Sequence, residues 1–296
     1  MRLIVTTRAR ADTSHQTDWG HKLRGRIYRA LDGTSYAERH DSNGTPGWVS
    51  SCPTPFGDAN KGEHRTFTIA SPDEGLLEHI QADLDEDSRL TIGEWDLDVI
   101  NTEIISVDAG TPGTRGVLST VTGVHLPIPN HRLEKYGIEI ADEHRDTETF
   151  WRPEMGTGAW REQIRNNLDL KHRLFHPDHL PGPCDVPDRI FDGLGLIKTY
   201  CTPYQLAEEV EYDLILSKWH LAYTVRDQDH RRHLNLALDC GIGERNPIGL
   251  GMLDRLEPAE AAVVLGMDSV DETEAAAETQ RPVADGGVQS PGAPDG

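Results

Sequence analysis

The chain has 296 residues, enough for two modest domains with cores of their own. Its formal net charge is −21, from 50 Asp+Glu against 29 Lys+Arg, and only six of the basic residues are Lys. That balance argues against a nucleic-acid partner held by bulk charge and fits a protein built for molar cytoplasmic salt. At about 1 M salt the Debye length is about 3 Å, so distant carboxylates barely repel a phosphate. Binding then rests on short-range contacts: Arg forks, backbone N–H groups and base stacking. Cysteines 52, 184, 201 and 240 show no CxxC spacing, which disfavours a zinc ribbon and a disulfide framework. No signal peptide and no apolar run of about 18 residues is visible. A soluble, cytoplasmic chain without a membrane partner is expected.

In chain order, MRLIVTT opens as a strand. Asp18 is expected to cap a helix whose apolar stripe is Trp19, Leu23, Ile27, Ala30 and Leu31, ending at Gly33. Tyr28 lies off that stripe. A polar loop, SYAERHDSNGTPG, carries Tyr36 and His40, and the chain then passes Trp48 and Lys61 to a strand, RTFTIA. Ser71-Pro72-Asp73-Glu74 reads as a capping box before a helix faced by Leu76, Leu77, Ile80 and Leu84. RLTIGEWDLDVINTEIISVD supplies one or two more strands, and a further strand fits near Trp48. This order suits an N-terminal ferredoxin-like domain over residues 1–111.

Thr111-Pro112-Gly113 reads as the junction. Val117–Ile128 resumes a strand pattern, and Gly158–Phe175 a helical one with Trp160, Ile164 and Leu168 on one side. Arg161, Arg165 and His172 are assigned to another face. GLGLIKTY and EYDLILSKWHLAYTVR read as strands. HLNLALD, with Leu234, Leu236 and Leu238 alternating, reads as a third that closes a hairpin carrying Arg231, Arg232 and His233. A last strand through Leu253 completes a second ferredoxin-like domain over 114–256. Residues 257–296 are rich in Ala, Glu, Asp, Gly and Pro and are expected to form a mostly disordered acidic tail.

The most specific stretch is GIGERNPIGLGML, with Gly241, Gly243, Gly249 and Gly251 around Glu244, Arg245 and Asn246. Glycine reaches φ > 0 cheaply and lets a ligand lie against backbone N–H groups, which suit phosphate oxygens. No Gly-Lys-Ser/Thr follows, so this is not a Walker loop, and the spacing fails the dinucleotide fingerprint. A bulged hairpin is the structural alternative.

This stretch resembles the C-terminal glycine-rich loop of the CRISPR-associated endoribonucleases that process precursor CRISPR RNA, in the RAMP superfamily. The resemblance extends over roughly residues 1 to 255. It implies paired ferredoxin-like (RRM-like) domains of α+β class, a precursor CRISPR RNA repeat as partner, and no metal or other cofactor. It implies attack of a ribose 2′-hydroxyl on the adjacent phosphorus, leaving a 2′,3′-cyclic phosphate and a 5′-hydroxyl. Histidine exchanges protons at neutral pH, and His40 matches the family's histidine: after the first helix, before a Phe-Thr strand. Tyr28 fits the tyrosine that many members carry on that helix, with Tyr36 as competitor. The family's lysine shortly after the histidine is missing; none occurs until Lys61. RNA contacts are assigned to Gly241, Gly243, Arg245, Gly249, Gly251, Arg231, Arg232 and Lys61.

Three other readings compete. His172, His176 and His179, with Cys184, could bind zinc, though Pro177 breaks the helix that would align them. The runs DLDEDSR and DEHRDTE suggest a metal-dependent nuclease, yet in so acidic a chain they read better as solvated surface. A non-catalytic guide-RNA-binding subunit of an interference complex suits the same fold and loop, and other subunits of such a complex are then possible partners.

Overall fold

The computed structural model describes residues 1–37, 47–137, 149–179, 190–207 and 210–266. The chain divides into two units, 1–256 and 257–296. In the second, Pro258–Val264 is helical; residues 267–296 of the expected acidic tail lie outside the described residues.

The first unit holds two antiparallel sheets. In the first sheet β1 (Arg2–Ala9) is central, between β3 (His64–Ala70) and β5 (Trp95–Ile105). The edge strands are β2 (Val49–Ser50) and β4 (Arg89–Ile92), giving the order β2-β3-β1-β5-β4. Helices α1 (Trp19–Ala30) and α2 (Glu74–Glu86) cover one face. With β4 set aside, this is the ferredoxin-like order, and β2 is the strand expected near Trp48. The period-two pattern drives it: Leu3, Val5 and Ala9 point into the core, where Trp19 meets Phe67 and Trp95 edge-on at 5.7 and 5.4 Å.

Asp18 stands at the N-cap of α1 but makes no side-chain cap; its carboxylate pairs with Lys22 at 2.8 Å instead. Asp73 caps α2 by accepting from the Leu76 N–H, while Ser71 Oγ accepts from the Asp73 N–H at 3.1 Å and donates to the Gly47 carbonyl at 2.8 Å.

The second sheet contains β6 (Arg115–Thr120), β7 (Val124–His125), β8 (Gly193–Ala207), β9 (Val210–Thr224) and β10 (Leu253–Arg255). β8 flanks β9 on one side; β6 and β7 follow one another along the other side, and β10 pairs with β6. Between β7 and β8 come a short helix α3 (Asn130–Leu133) and α4 (Gly156–Phe175), close to the span expected from its apolar stripe. Trp160 packs on Trp219, which packs on Trp151, at 4.7 and 5.0 Å.

Residues 228–240 correct the sequence expectation. They form a helix, α5 (Gln228–Cys240), capped by the Asp227 side chain on the His230 N–H at 2.7 Å. Leu234, Ala237 and Leu238 recur at helical spacing and fill the second core, which the alternating leucines of a strand would not do. The sheet then has the ferredoxin-like order β8-β9-β6-β10, and Arg231, Arg232 and His233 lie on a helix, not on a hairpin.

The two sheets interlock. The Met1 amino group binds Asp239 of α5 at 2.5 Å, and the buried Arg2 binds Asp254 and the Leu253 carbonyl at 2.8 and 2.7 Å.

Candidate nucleic-acid interface and cleavage site

The glycine loop is the seam between the sheets. Gly241, Gly243, Gly249 and Gly251 all have positive φ, and Arg245 is left-handed at 59°. A Cβ on Gly251 would stand 1.9 Å from the Ile242 carbonyl oxygen, and one on Gly243 would stand 2.5 Å from that of His125. Gly20, at the start of α1, meets the Ile248 carbonyl just as closely, at 1.8 Å from a built Cβ. These glycines serve the approach of backbone to backbone.

The loop's donors are also turned inward. The N–H groups of Ile242, Glu244, Ile248, Gly249 and Gly251 donate to carbonyls of Gly251, His125, Arg245, Asn246 and Gly123. The phosphate cradle expected here is thus occupied, at these positions, by the protein's own oxygens. Beneath the loop, Lys171 is 1 % exposed and donates to the Gly241 carbonyl at 2.7 Å, the Asn246 side-chain oxygen at 2.8 Å and the Cys240 carbonyl at 3.3 Å. Asn246 in turn donates to the Ile242 and Leu250 carbonyls at 3.1 and 2.9 Å. Lys171 had a signal in the sequence: it continues the inward stripe Trp160, Ile164, Leu168. His172 shares that inward side and is fully buried, which corrects its assignment beside Arg161 and Arg165.

A groove of about 510 Å³ opens beside this seam. One wall comes from the first sheet's side, with Cys52 and Phe56; the other is the face of β8 and β9 with Lys198, Tyr200 and Lys218. Lys198 and Lys218 are direct cross-strand partners. Like charges in that register destabilise a sheet, so two of the six lysines of a −21 chain stand side by side at a cost to the fold. Lys218 donates to the Val121 carbonyl at 3.0 Å, and burial first, then Lys198, pulls its ammonium pKa below the usual value. Phe56 is 70 % exposed and lies 4.2 Å from the His15 ring. Charge beside an exposed ring suits a single strand, whose backbone is anionic and whose bases stack.

His40 falls outside the described residues, but the flanks of its segment are clear. On one side Tyr36 donates its hydroxyl to Asp73 at 2.9 Å. On the other, Gly47 accepts from Ser71, and Trp48 meets the Tyr28 ring edge-on at 6.2 Å. Both flanks and both tyrosines therefore sit at the Ala70 end of β3. Tyr28 is half-buried, and burial pushes its hydroxyl pKa up. Lys61 is not brought here. It precedes the His64 end of β3, about 20 Å away at about 3.3 Å per residue, and its N–H is held by Asp12 at 2.7 Å. Arg231 is engaged too, its fork on Asp108 at 2.7 and 3.1 Å. Arg245 lies near the buried His125, whose pKa is lowered to about 4 by burial first and then by that guanidinium.

Among the described residues no three His, Cys, Asp or Glu side chains are grouped to hold a metal ion. Cys184 and the run DEHRDTE lie outside them. In DLDEDSR, Asp83 pairs with Arg26 and Asp85 accepts from Thr102 at 2.8 Å. Among the described residues no helix is long and apolar enough to cross a membrane.

Two ferredoxin-like sheets joined by a glycine seam, with a basic and aromatic groove alongside, make up a paired ferredoxin-like fold that solved proteins share. A solved protein described as a RAMP protein binding different RNA substrates shares the fold, with TM-score 0.61 at 16% identity over 87% of this chain and 100% of that one. A solved CRISPR associated protein Cas6 gives TM-score 0.62 at 19% identity, over 87% of this chain and 99% of that one. Residues 137–255 match the family described as CRISPR associated protein Cas6, C-terminal. The CRISPR-associated endoribonuclease Cas6 of Haloferax mediterranei is 42% identical over 265 residues, 88% of this chain and 97% of that protein. The chain belongs to the Cas6 family of CRISPR-associated endoribonucleases. Its acidic, lysine-poor composition agrees with a relative from a halophile.

Proposed function

We propose that the chain cuts precursor CRISPR RNA within its repeats, in the cytoplasm, by transesterification without a metal. The 2′-hydroxyl oxygen attacks the adjacent phosphorus; the P–O5′ bond breaks; a 2′,3′-cyclic phosphate and a 5′-hydroxyl remain. His40, as neutral imidazole, takes the 2′-hydroxyl proton, and a second group must protonate the leaving 5′-oxygen. Tyr28 suits that second role, because a hydroxyl whose pKa is raised by burial keeps its proton at neutral pH and can donate it. Tyr36, engaged with Asp73, suits the anchoring of its loop. The groove of Phe56, Lys198 and Lys218 takes the single-stranded RNA leading to the cut, with Arg245 at the seam.

The observation that supports this reading is that both flanks of the His40 segment lie at one end of the first sheet, where Trp48 meets Tyr28 and Tyr36 meets Asp73. The test is cleavage of a synthetic repeat RNA in molar KCl with EDTA, native chain against His40→Ala. The native chain should cut and leave a cyclic phosphate, and the variant should bind the RNA but cut about 10²–10⁴-fold more slowly. Equal cutting by both would remove His40 from the mechanism. Binding without cutting by the native chain would make it a non-catalytic guide-RNA subunit.

A further inference from the structure

One cluster of basic side chains is left over, where the C-terminal end of α4 faces α5. His172 is fully buried, and neither ring nitrogen has a hydrogen-bond partner. Its ring lies flat on that of His233, 4.4 Å away at an interplanar angle of 10°, and His176 tilts against it at 5.1 Å. His233 is fixed by the Asp229 carbonyl at 2.9 Å and lies 3.4 Å from the Asp169 carboxylate. Arg232 pairs with Asp229, and its Nε is buried without a partner.

The ordinary explanation is that cations at a helix C-terminus offset its dipole. That accounts for Arg173 and His176. His172 lies in that last turn too, but a dipole does not explain a fully buried ring with both nitrogens unmatched, nor Arg232, which belongs to another helix. Leaving a buried polar group unmatched costs about 1–3 kcal/mol. The basic groups also oppose one another's protonation: after burial, His233 is the next cause lowering the His172 pKa to about 4, and Arg232 the next cause lowering that of His176. An anion placed among them would reverse that conflict.

The position of the cluster is specific. Phe175 packs on Gly47 so closely that a Cβ there would stand 2.3 Å from its ring. Gly47 closes the segment that carries His40, and Trp48 beside it reaches Tyr28. The cluster therefore adjoins the place where the cleavage reading needs cationic donors, and Lys61 is at the far end of β3.

We propose that His176 and Arg232, backed by the buried His172–His233 stack, form a phosphate site that holds the RNA at the cut and supplies the charge-assisted hydrogen bonds otherwise expected from a lysine. This rests on the cleavage reading above. The test uses the full chain in molar KCl with EDTA. Single-turnover cleavage of the repeat is measured beside the Kd for the same repeat with 2′-deoxyribose at the cut, for the native chain, His40→Ala, Arg232→Lys, Arg232→Gln and the double variant H176N/R232Q. The double variant should cut about a hundredfold more slowly at saturating protein, and Arg232→Lys should recover part of the rate that Arg232→Gln loses. Native rate and native Kd in the double variant would overturn the site; if His40→Ala is then inactive, cleavage itself stands and only this site falls. Should the native chain bind but not cut, Kd decides alone: a loss of about tenfold in the double variant supports the site, and an unchanged Kd overturns it. If the double variant fails to fold, the two Arg232 variants give the same readings.

Discussion

The glycine loop and the groove beside it differ in where their polar groups point. In the loop, N–H donors close on the protein's own carbonyls, and a buried ammonium satisfies further oxygens from below. In the groove, two ammonium groups share one register and an aromatic ring stands in solvent. The loop, conspicuous in sequence, is a joint between two sheets. The groove, inconspicuous in sequence, keeps two ammonium groups side by side, and the proposed RNA path runs over them. Glycine density marks close backbone approach; retained like-charge repulsion is what singles out the groove for the proposed RNA path.

The largest effect should come from breaking the joint. Gly251→Ala places a methyl 1.9 Å from a backbone oxygen at φ +75°. Neither atom can move without opening the seam, so a loss of about 4 kcal/mol or more is expected, read as a fall in thermal midpoint of the purified chain. Gly25→Ala is the counterpart: mid-helix, without positive φ, with nothing within 4 Å of the new carbon. It should stabilise by about 0.5–1 kcal/mol. A small effect at position 251 would mean that the seam is not as tight as these distances.

Lys171→Met comes next. Its volume is similar, but the oxygens of Gly241 and Asn246 lose their donor. Unmatched buried acceptors cost about 1–3 kcal/mol each, so unfolding should come at clearly lower denaturant. Hydrogen exchange at residues 241–251 should quicken before that of β9. If the variant matches the native chain in both, Lys171 is a passenger and Asn246 alone holds the loop.

Much of the fold was legible because its strands and helices bury residues at their own periods: Leu3, Val5 and Ala9 in β1, Trp160, Ile164 and Leu168 in α4. The helix α5 was misread because Leu234, Leu236 and Leu238 also alternate. Leu236 is buried outside the main cluster, so the helix has apolar contacts on more than one side and its period is blurred. Lys171 was legible in principle, as the continuation of a stripe. The groove was not. That Lys198 faces Lys218 depends on the β8–β9 register, which includes a shift between Leu196 and Lys198. The cluster of His172, His176, Arg232 and His233 joins residues from two helices that sequence assigned to different kinds of element.

The groove is tested by removing its charge without disturbing the joint, through the double variant K198Q/K218Q. Relief of the cross-strand repulsion should leave stability unchanged or raise it by a few tenths up to about 1 kcal/mol. RNA affinity should fall, and its dependence on salt should become shallower by about 1.4, at about 0.7 per phosphate for a single strand. The decisive comparison is near 1 M salt. Counterion release contributes nothing to log K at about that concentration, so a purely diffuse electrostatic role predicts that native and variant curves meet there. A chain this acidic, whose distant charges are screened within about 3 Å, needs contacts that survive those conditions. A gap of about tenfold persisting in molar KCl, about 1.4 kcal/mol, is therefore the expected result. Convergence of the two curves would assign the lysines to general attraction and leave Phe56 and Tyr200 as the groove's specific contacts.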